Sequence, residues 1–295
     1  MSMQARVLPA LTLVLLAGCV TAAPLDDALA LYRAQDYSEA RHQLEALDVA
    51  GPNNPEIIHA LGLIALHQQR FDDAVSLLEH ASALAPEDVP SLVDLSEAYG
   101  GEAQNAGLFS RLTWAQKCRV TLEKAVTLAP KSTLARAALV SFYRMAPAIA
   151  GGGHEKARAQ AEELRKLDEP LGVQSLVLIS VSDKNYDQAF ALCDAALKQQ
   201  PENYRYLFSL GRVAAQSGRR LEEGLASLKK CLAQPEPSDF PNHSVIQQRI
   251  GNIQEKLGKP DAARAAYETA LTLDPENREA RNALGRLASD SPASK

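Results

Sequence analysis

The sequence lacks most of the residue patterns that mark a reactive centre. Four cysteines occur in 295 residues, none in a C-x-x-C pair, which excludes a zinc ribbon or a dithiol redox motif. No H-E-x-x-H is present and the six histidines are scattered. A helical zinc site needs two imidazoles one turn apart. Glu56, His59 and His67 fall on one side of a helical stretch but lack that spacing, so they read as solvated residues and no metal site is expected. Neither a nucleophile elbow nor a G-x-x-x-x-G-K-[ST] phosphate loop occurs, and nothing calls for a cofactor. Basic residues are outnumbered, 31 Lys and Arg against 36 Asp and Glu, for a net charge of −5. That balance argues against nucleic acid as a partner, because phosphate binding wants a basic surface. The apolar run from Val7 to Ala17 is shorter than the roughly 20 residues that cross a bilayer. Long charge runs, low-complexity segments and strand-like alternation are missing too.

What the chain has instead is recurrence. Ala40, Ala74, Cys118, Ala157, Ala189, Gly224 and Ala263 follow one another at intervals of 34, 44, 39, 32, 35 and 39 residues. Pro52, Pro86, Pro130, Pro201 and Pro275 each come twelve residues after a member of this series. A period of about 34 residues with insertions implies stacked helical hairpins. Residues 55–88 are clearest. Ile58, Leu61, Gly62 and Ala65 fall on one side of a first helix, and Phe71, Ala74, Leu78 and Ala81 on the facing side of a second. Gly62 and Ala74 are small where two backbones must approach, and Pro86 cannot continue a helix.

This pattern of a large residue, L-G, A, A, F or L, A and P resembles the tetratricopeptide repeat (TPR). Residues 244–277 share it through Gly251, Ala263, Tyr267, Ala270 and Pro275, and residues 170–203 through Tyr186, Ala189, Ala196 and Pro201. The resemblance implies an all-α, right-handed superhelical solenoid of about seven hairpins over 25–289. Its units would be 21–54, 55–88, 89–132, 133–169, 170–203, 204–243 and 244–277, with 89–132 and 133–169 irregular and extended. A polar-faced helix over 278–289 would cap the last unit, and 290–295 would form a flexible tail.

The leader ends in Leu16-Ala17-Gly18-Cys19, which resembles a bacterial lipobox. It implies a lipoprotein signal peptide over 1–18, lipidation of Cys19, and an anchor or linker over 19–24. Val20 rather than aspartate after the cysteine favours the outer membrane, with the array facing the periplasm. Ordinary cleavage after Val20-Thr21-Ala22, giving a soluble periplasmic or secreted protein, is the alternative. The leader carries only Arg6 as a charge, so its loss leaves the rest slightly more acidic.

Cys118, Cys193 and Cys231 fall at second-helix packing positions, where a thiol behaves as a small hydrophobe. A Cys193–Cys231 bridge is the alternative. Between Tyr99 and Cys118 the third unit carries about ten extra residues. Leu108, Phe109, Leu112 and Trp114 make this stretch bulky and apolar, either packed on neighbouring units or exposed as a docking tip. Gly151, Gly152 and Gly153 precede the next helix as a flexible turn or as N–H donors to an anion.

In TPR arrays, first-helix positions 2, 5, 9, 12 and 13 line the binding groove. The resemblance places His59 and His67 there in the second unit, Gln174 in the fifth, and Arg205, Phe208, Arg212, Gln248 and Asn252 in the sixth and seventh. The lysine and asparagine clamp of chaperone-binding TPRs is not reproduced. Basic, amide and aromatic groups together suit a peptide carboxylate or an acidic segment. The expectation is a non-enzymatic, lipid-anchored scaffold for protein or peptide partners in envelope assembly or secretion. The alternatives are a self-assembling homo-oligomeric envelope protein, and behind it an enzyme acting on an envelope polymer.

Overall fold

The computed structural model describes residues 23–237 and 241–290. The signal peptide, Cys19 and residues 291–295 of the tail lie outside the described residues. Within them every regular element is helical. In chain order the helices are α1 (Ala23–Arg33), α2 (Tyr37–Ala50), α3 (Pro55–His67), α4 (Phe71–Leu84), α5 (Val89–Asn105), α6 (Leu108–Leu128), α7 (Thr133–Met145), α8 (His154–Leu167), α9 (Glu169–Ser182), α10 (Tyr186–Gln199), α11 (Tyr204–Ser217), α12 (Leu221–Leu232), α13 (His243–Lys256), α14 (Pro260–Leu273) and α15 (Arg278–Asp290). A 3₁₀ turn, Ala148–Ala150, precedes α8.

The prolines of the repeat do more than end a unit. Two residues after each of the five stands a capping side chain: Asn54, Asp88, Ser132, Asn203 and Asn277. Each accepts a hydrogen bond from a backbone N–H in the first turn of the next helix, satisfying donors that have no partner inside the helix. One joint is tighter still. Asp168 sends its own N–H to Leu164 at the end of α8, and its carboxylate accepts from Leu171 N at 2.9 Å at the start of α9. No residue separates these two helices apart from this shared cap.

Two compact units divide the chain after Ala85. The smaller contains α1 to α4, paired as α1/α2 and α3/α4 around Ala40, Leu44, Ile57 and Ile64. The larger contains the hairpins α5/α6, α7/α8, α9/α10, α11/α12 and α13/α14, closed by α15. Its main core includes Tyr206, Phe208, Leu228, Ile246 and Ile253. Tyr267, Ala270, Ala280 and Ala283 form a second cluster under α15.

Every member of the recurring small series is buried. The glycines opposite them show why. A Cβ on Gly62 would lie 2.7 Å from Leu78, and one on Gly211 would lie 2.3 Å from Leu228. Hairpin partners touch where no side chain fits.

The extra residues of the third unit are not a loop. They lengthen both helices, α5 to 17 residues and α6 to 21, against 13 and 14 in α3 and α4. Between Tyr99 and Cys118 no proline intervenes, and Glu, Ala, Gln, Leu, Arg and Lys are good helix formers, so the hairpin simply continues. The glycine stretch is a turn, as one of its two readings expected, and its donors face inward. Gly151, Gly152 and Gly153 donate their N–H groups to Ala148, Pro147 and Tyr143. Those donors are spent on the turn itself, and no anion can use them. Gly151 at φ +89° has the left-handed conformation that glycine adopts without strain.

Candidate functional site

Inside the larger unit the first helices α5, α7, α9, α11 and α13 pack side by side and share a face. Helix α11 lies within this row, touched by α9, α10, α12 and α13. Most of its residues are therefore buried, including Phe208 at 1% exposure. Phe208 belongs to the core and offers no ring to a partner, because α11 is enclosed on more sides than its own spacing reveals. The same holds for Gln248 on α13 at 4% exposure and Gln174 on α9 at 8%.

The arginines behave differently. Arg205 is half-buried and donates through Nη1 to Gln174 Oε1 at 3.1 Å, tying α11 to α9. Arg212, two turns further along α11, is half-buried and makes no hydrogen bond or ion pair among the described residues; its Nε is buried without an acceptor. Burial first, then repulsion from the guanidiniums of Arg249 and Arg144, pushes Arg212 down to about 10, with Glu279 acting in the opposite sense. Arg249 on α13 has 15% of its side chain exposed and lies 3.8 Å from the Glu279 carboxylate on α15. Its Nε is also unpartnered, and burial lowers its pKa against the pull of Glu279. Arg144, in the last turn of α7, is lowered by burial and reaches Ser182 Oγ on α9 at 3.4 Å. Arg212 thus feels the charges of Arg144, Arg249 and Glu279, and Glu279 itself pairs with Arg249.

Asn252 accepts from the Tyr267 hydroxyl at 2.7 Å, which also bonds the Glu255 carboxylate. Asn252 and Glu255 line a cleft of about 450 Å³ with Ala215, Lys256 and Arg286. In the smaller unit, His67 stacks on Tyr37 at 4.9 Å, with Nε2 3.0 Å from the Tyr32 hydroxyl. His59 on the same helix is half-buried.

The extended third hairpin divides its four bulky residues. Leu108 and Phe109, 71% and 87% exposed, stand at its tip. Leu112 and Trp114 are half-buried, and Trp114 stacks on Tyr99 at 5.7 Å with Lys117 Nζ 4.7 Å from its ring. Cys118, Cys193 and Cys231 are buried free thiols, so the bridge between the last two is not formed. Burial pushes the Cys118 thiol up to about 11 and the other two up to about 12.

Sequence reasoning missed Arg144 and Arg249. Arg144 occupies position 12 of the fourth unit, which the groove rule covers but which was not read there. Arg249 is one residue off that rule, and only the packing of α13 against α11 brings its charge to bear on Arg212.

Two-helix units packed on small residues, with polar groups on a shared first-helix face, define a helical-hairpin repeat protein. Models of the tetratricopeptide repeat match residues 25–89, 181–236 and 246–277, just over half of the chain. The chain belongs to the tetratricopeptide repeat family, whose members bind protein partners, and it is a protein–protein interaction scaffold of that class. It is 25% identical over 261 residues to cellulose synthase operon protein C of Xanthomonas axonopodis pv. citri, covering 88% of this chain and 17% of that one. The chain therefore spans about a sixth of that relative's length. Among solved structures, a tetratricopeptide repeat protein of Parabacteroides merdae superposes with a TM-score of 0.64 at 13% identity, covering 90% of this chain and 98% of that one. Yeast Tom70 superposes at 0.62 and 13%, over 86% of this chain and 52% of its own. At such identities the likeness to these structures concerns fold alone.

Proposed function

We propose that this chain is a non-enzymatic, lipid-anchored scaffold that gathers protein partners on the periplasmic side of a bacterial outer membrane, in envelope assembly or secretion. The observation that carries the scaffold role is the first-helix face of the larger unit, where Arg212 makes no hydrogen bond or ion pair among the described residues and Arg249 has Glu279 at 3.8 Å. The anchor rests on Leu16-Ala17-Gly18-Cys19 after a short apolar run. The likeness to a cellulose synthase operon protein supports synthesis or export of an extracellular polymer as the process served.

Mild crosslinking followed by pull-down tests the scaffold. Foreign proteins captured by the wild type support it, and capture of self-copies alone favours the second reading, a self-assembling envelope protein. That reading has its own observation in the exposed Leu108 and Phe109. Cys19→Ser tests the anchor, since serine has no thiol to alkylate. The variant is expected to leave the membrane fraction or to accumulate unprocessed. Unchanged mature size with detergent-only extraction ends the lipoprotein proposal.

A further inference from the structure

We propose that the tip of the α5/α6 hairpin, Leu108 and Phe109, inserts into the surface of a bilayer that carries anionic lipids. The inference goes beyond the scaffold reading, since it concerns neither the groove nor a protein partner, and it does not depend on lipidation of Cys19.

Geometry sets the tip apart. In α4, α8, α10, α12 and α14 the recurring small residue is the fourth of its helix: Ala74, Ala157, Ala189, Gly224 and Ala263. In α6 the equivalent Cys118 is the eleventh. At about 1.5 Å per residue, the difference carries the start of α6 about 10 Å further along its own axis. Leu108 and Phe109 are its first two residues and stand exposed there. The turn of the next hairpin packs on α6, with Gly151 against the Arg119 side chain, and exposes Met145 and Ile149. At the matching turns of the last three hairpins, residues 183–185, 218–220 and 257–259, no large apolar side chain is exposed. The apolar edge is thus confined to two neighbouring turns, and one of them overhangs.

A bilayer suits this shape better than a protein does. A phenylalanine side chain offers about 200 Å², and with one leucine beside it the tip falls well short of the about 800 Å² that each partner gives to a specific protein interface. Transfer of apolar groups out of water needs no complementary surface. The chemistry also changes along α6 in the order that a membrane surface does. Behind the apolar end comes Arg111. Trp114, about 8 Å from Phe109 along the helix axis, stacks on Tyr99. Lys117 follows, with its Nζ 4.7 Å from the Trp114 ring. Tryptophan and tyrosine favour the headgroup level, and lysine and arginine reach the charged layer beyond it. Arg111 and, at the neighbouring turn, Lys156 bond backbone carbonyls rather than carboxylates, so their charges are not cancelled. Residues 100–119 and 142–158 together hold six Lys and Arg against Glu102 and Glu155, in a chain of net charge −5. Arg119 pairs with Glu123 and Arg158 with Asp183, which still leaves a local basic excess. That excess is the complement of an anionic headgroup layer.

Trp114 is the sole tryptophan of the chain, so a tryptophan moved to the tip, Phe109→Trp with Trp114→Phe in the full chain, reports on insertion there. Vesicles of phosphatidylglycerol and phosphatidylethanolamine are expected to shift its emission to the blue, and brominated acyl chains to quench it. Raised salt should weaken the response. Vesicles of phosphatidylcholine alone should bind about fivefold more weakly or worse, and adding Leu108→Ser should lower partitioning into the anionic vesicles by a similar factor. In the wild type, Trp114 should be quenched less than the tip tryptophan. Leu108→Ser with Phe109→Ser should melt at the wild-type temperature, because both side chains are exposed. Emission unmoved by anionic vesicles overturns the proposal, and so does an equal response to phosphatidylcholine. A lower melting temperature in the double serine variant would place the tip in the packing of the fold, and overturns it as well. A dimer seen in sedimentation velocity and abolished by the double serine variant, in place of any vesicle response, gives the tip to a second copy and also overturns it. Loss of a foreign partner from that variant's pull-down, again without a vesicle response, gives the tip to a protein with the same consequence. The scaffold reading stands or falls separately, on whether the wild type captures foreign proteins, and Cys19→Ser reports on the anchor alone.

Discussion

Arginine is used in two ways within the larger unit. At the junction of α10 and α12, Arg220 holds both oxygens of Asp194 at 2.9 Å, reaches Glu223 at 2.6 Å, and lies 4.7 Å over the Phe190 ring. Beside it, Arg219 bonds Asp187 at 2.6 Å. Two arginines there meet three carboxylates and an aromatic face. On the first-helix face, Arg249 has one carboxylate at 3.8 Å and Arg212 has no bonded partner among the described residues. The first cluster joins neighbouring hairpins. The second is tied more loosely: Arg249 pairs with Glu279 on α15, Arg144 bonds Ser182 on α9, and Arg212 makes no bond among the described residues. Completeness of pairing, rather than burial or charge alone, separates the two clusters.

The sharpest test of this contrast lies within α11. Gly211 and Arg212 are adjacent, yet one packs against Leu228 and the other has no partner. Gly211→Ala forces a methyl group to within 2.3 Å of Leu228 and should cost about 1–3 kcal/mol by overpacking. Chemical denaturation of the isolated variant measures it. A wild-type midpoint would mean that α11 is not seated as described, and the arginine cluster would fall with it.

Arg220→Ala should cost about 1–2 kcal/mol, because a bidentate pair and a cation–π contact go together. Arg220 also has left-handed backbone angles, φ 51° and ψ 39°, which alanine tolerates no better. Arg220→Gly should thus lose less than Arg220→Ala, and the difference between the two reports the backbone strain. Cys193 offers a local readout. Burial, helped by the Asp194 charge, holds its thiol near 12, while Arg220 opposes them. Thiol labelling in the wild type should therefore wait for opening of the hairpin, and Arg220→Ala should speed it.

Arg212→Met should have the opposite sign. Replacing a desolvated, repelled guanidinium by an apolar side chain of similar length is expected to stabilise by about 1 kcal/mol. A loss of stability would collapse the distinction between the two clusters. The smallest effect belongs to Glu279→Gln. An exposed ion pair is worth about 0–1 kcal/mol, so stability should barely move.

The hairpins were legible because packing leaves a periodic trace. Two helix backbones can touch only at small residues, and a proline stops each pair, so Ala40, Ala74 and Pro86 announce the fold without knowledge of any partner helix. The site was legible only in part. Arg205 and Arg212 fall on the expected face, but Phe208 at a groove position is buried, because nothing in α11 itself says how closely α9 and α13 approach. Arg144 lies 68 residues before Arg212, and a repulsion between such distant positions leaves no mark on local spacing. The added length of the third hairpin was legible from the count of residues, but that count does not say that both helices grow by it.

The shared cap at Asp168 has a mechanical consequence. Between α10 and α11 four residues, 200–203, lie outside the helices and can be drawn out before either helix yields. Between α8 and α9 a single residue is available, about 3.5 Å of extension. A chain anchored at one end and loaded at the other would carry tension across Asp168 with almost no slack. The hairpins on either side should then give way together, as one large step in a force–extension trace, whereas the α10–α11 joint should stretch first and separate its neighbours into smaller ones.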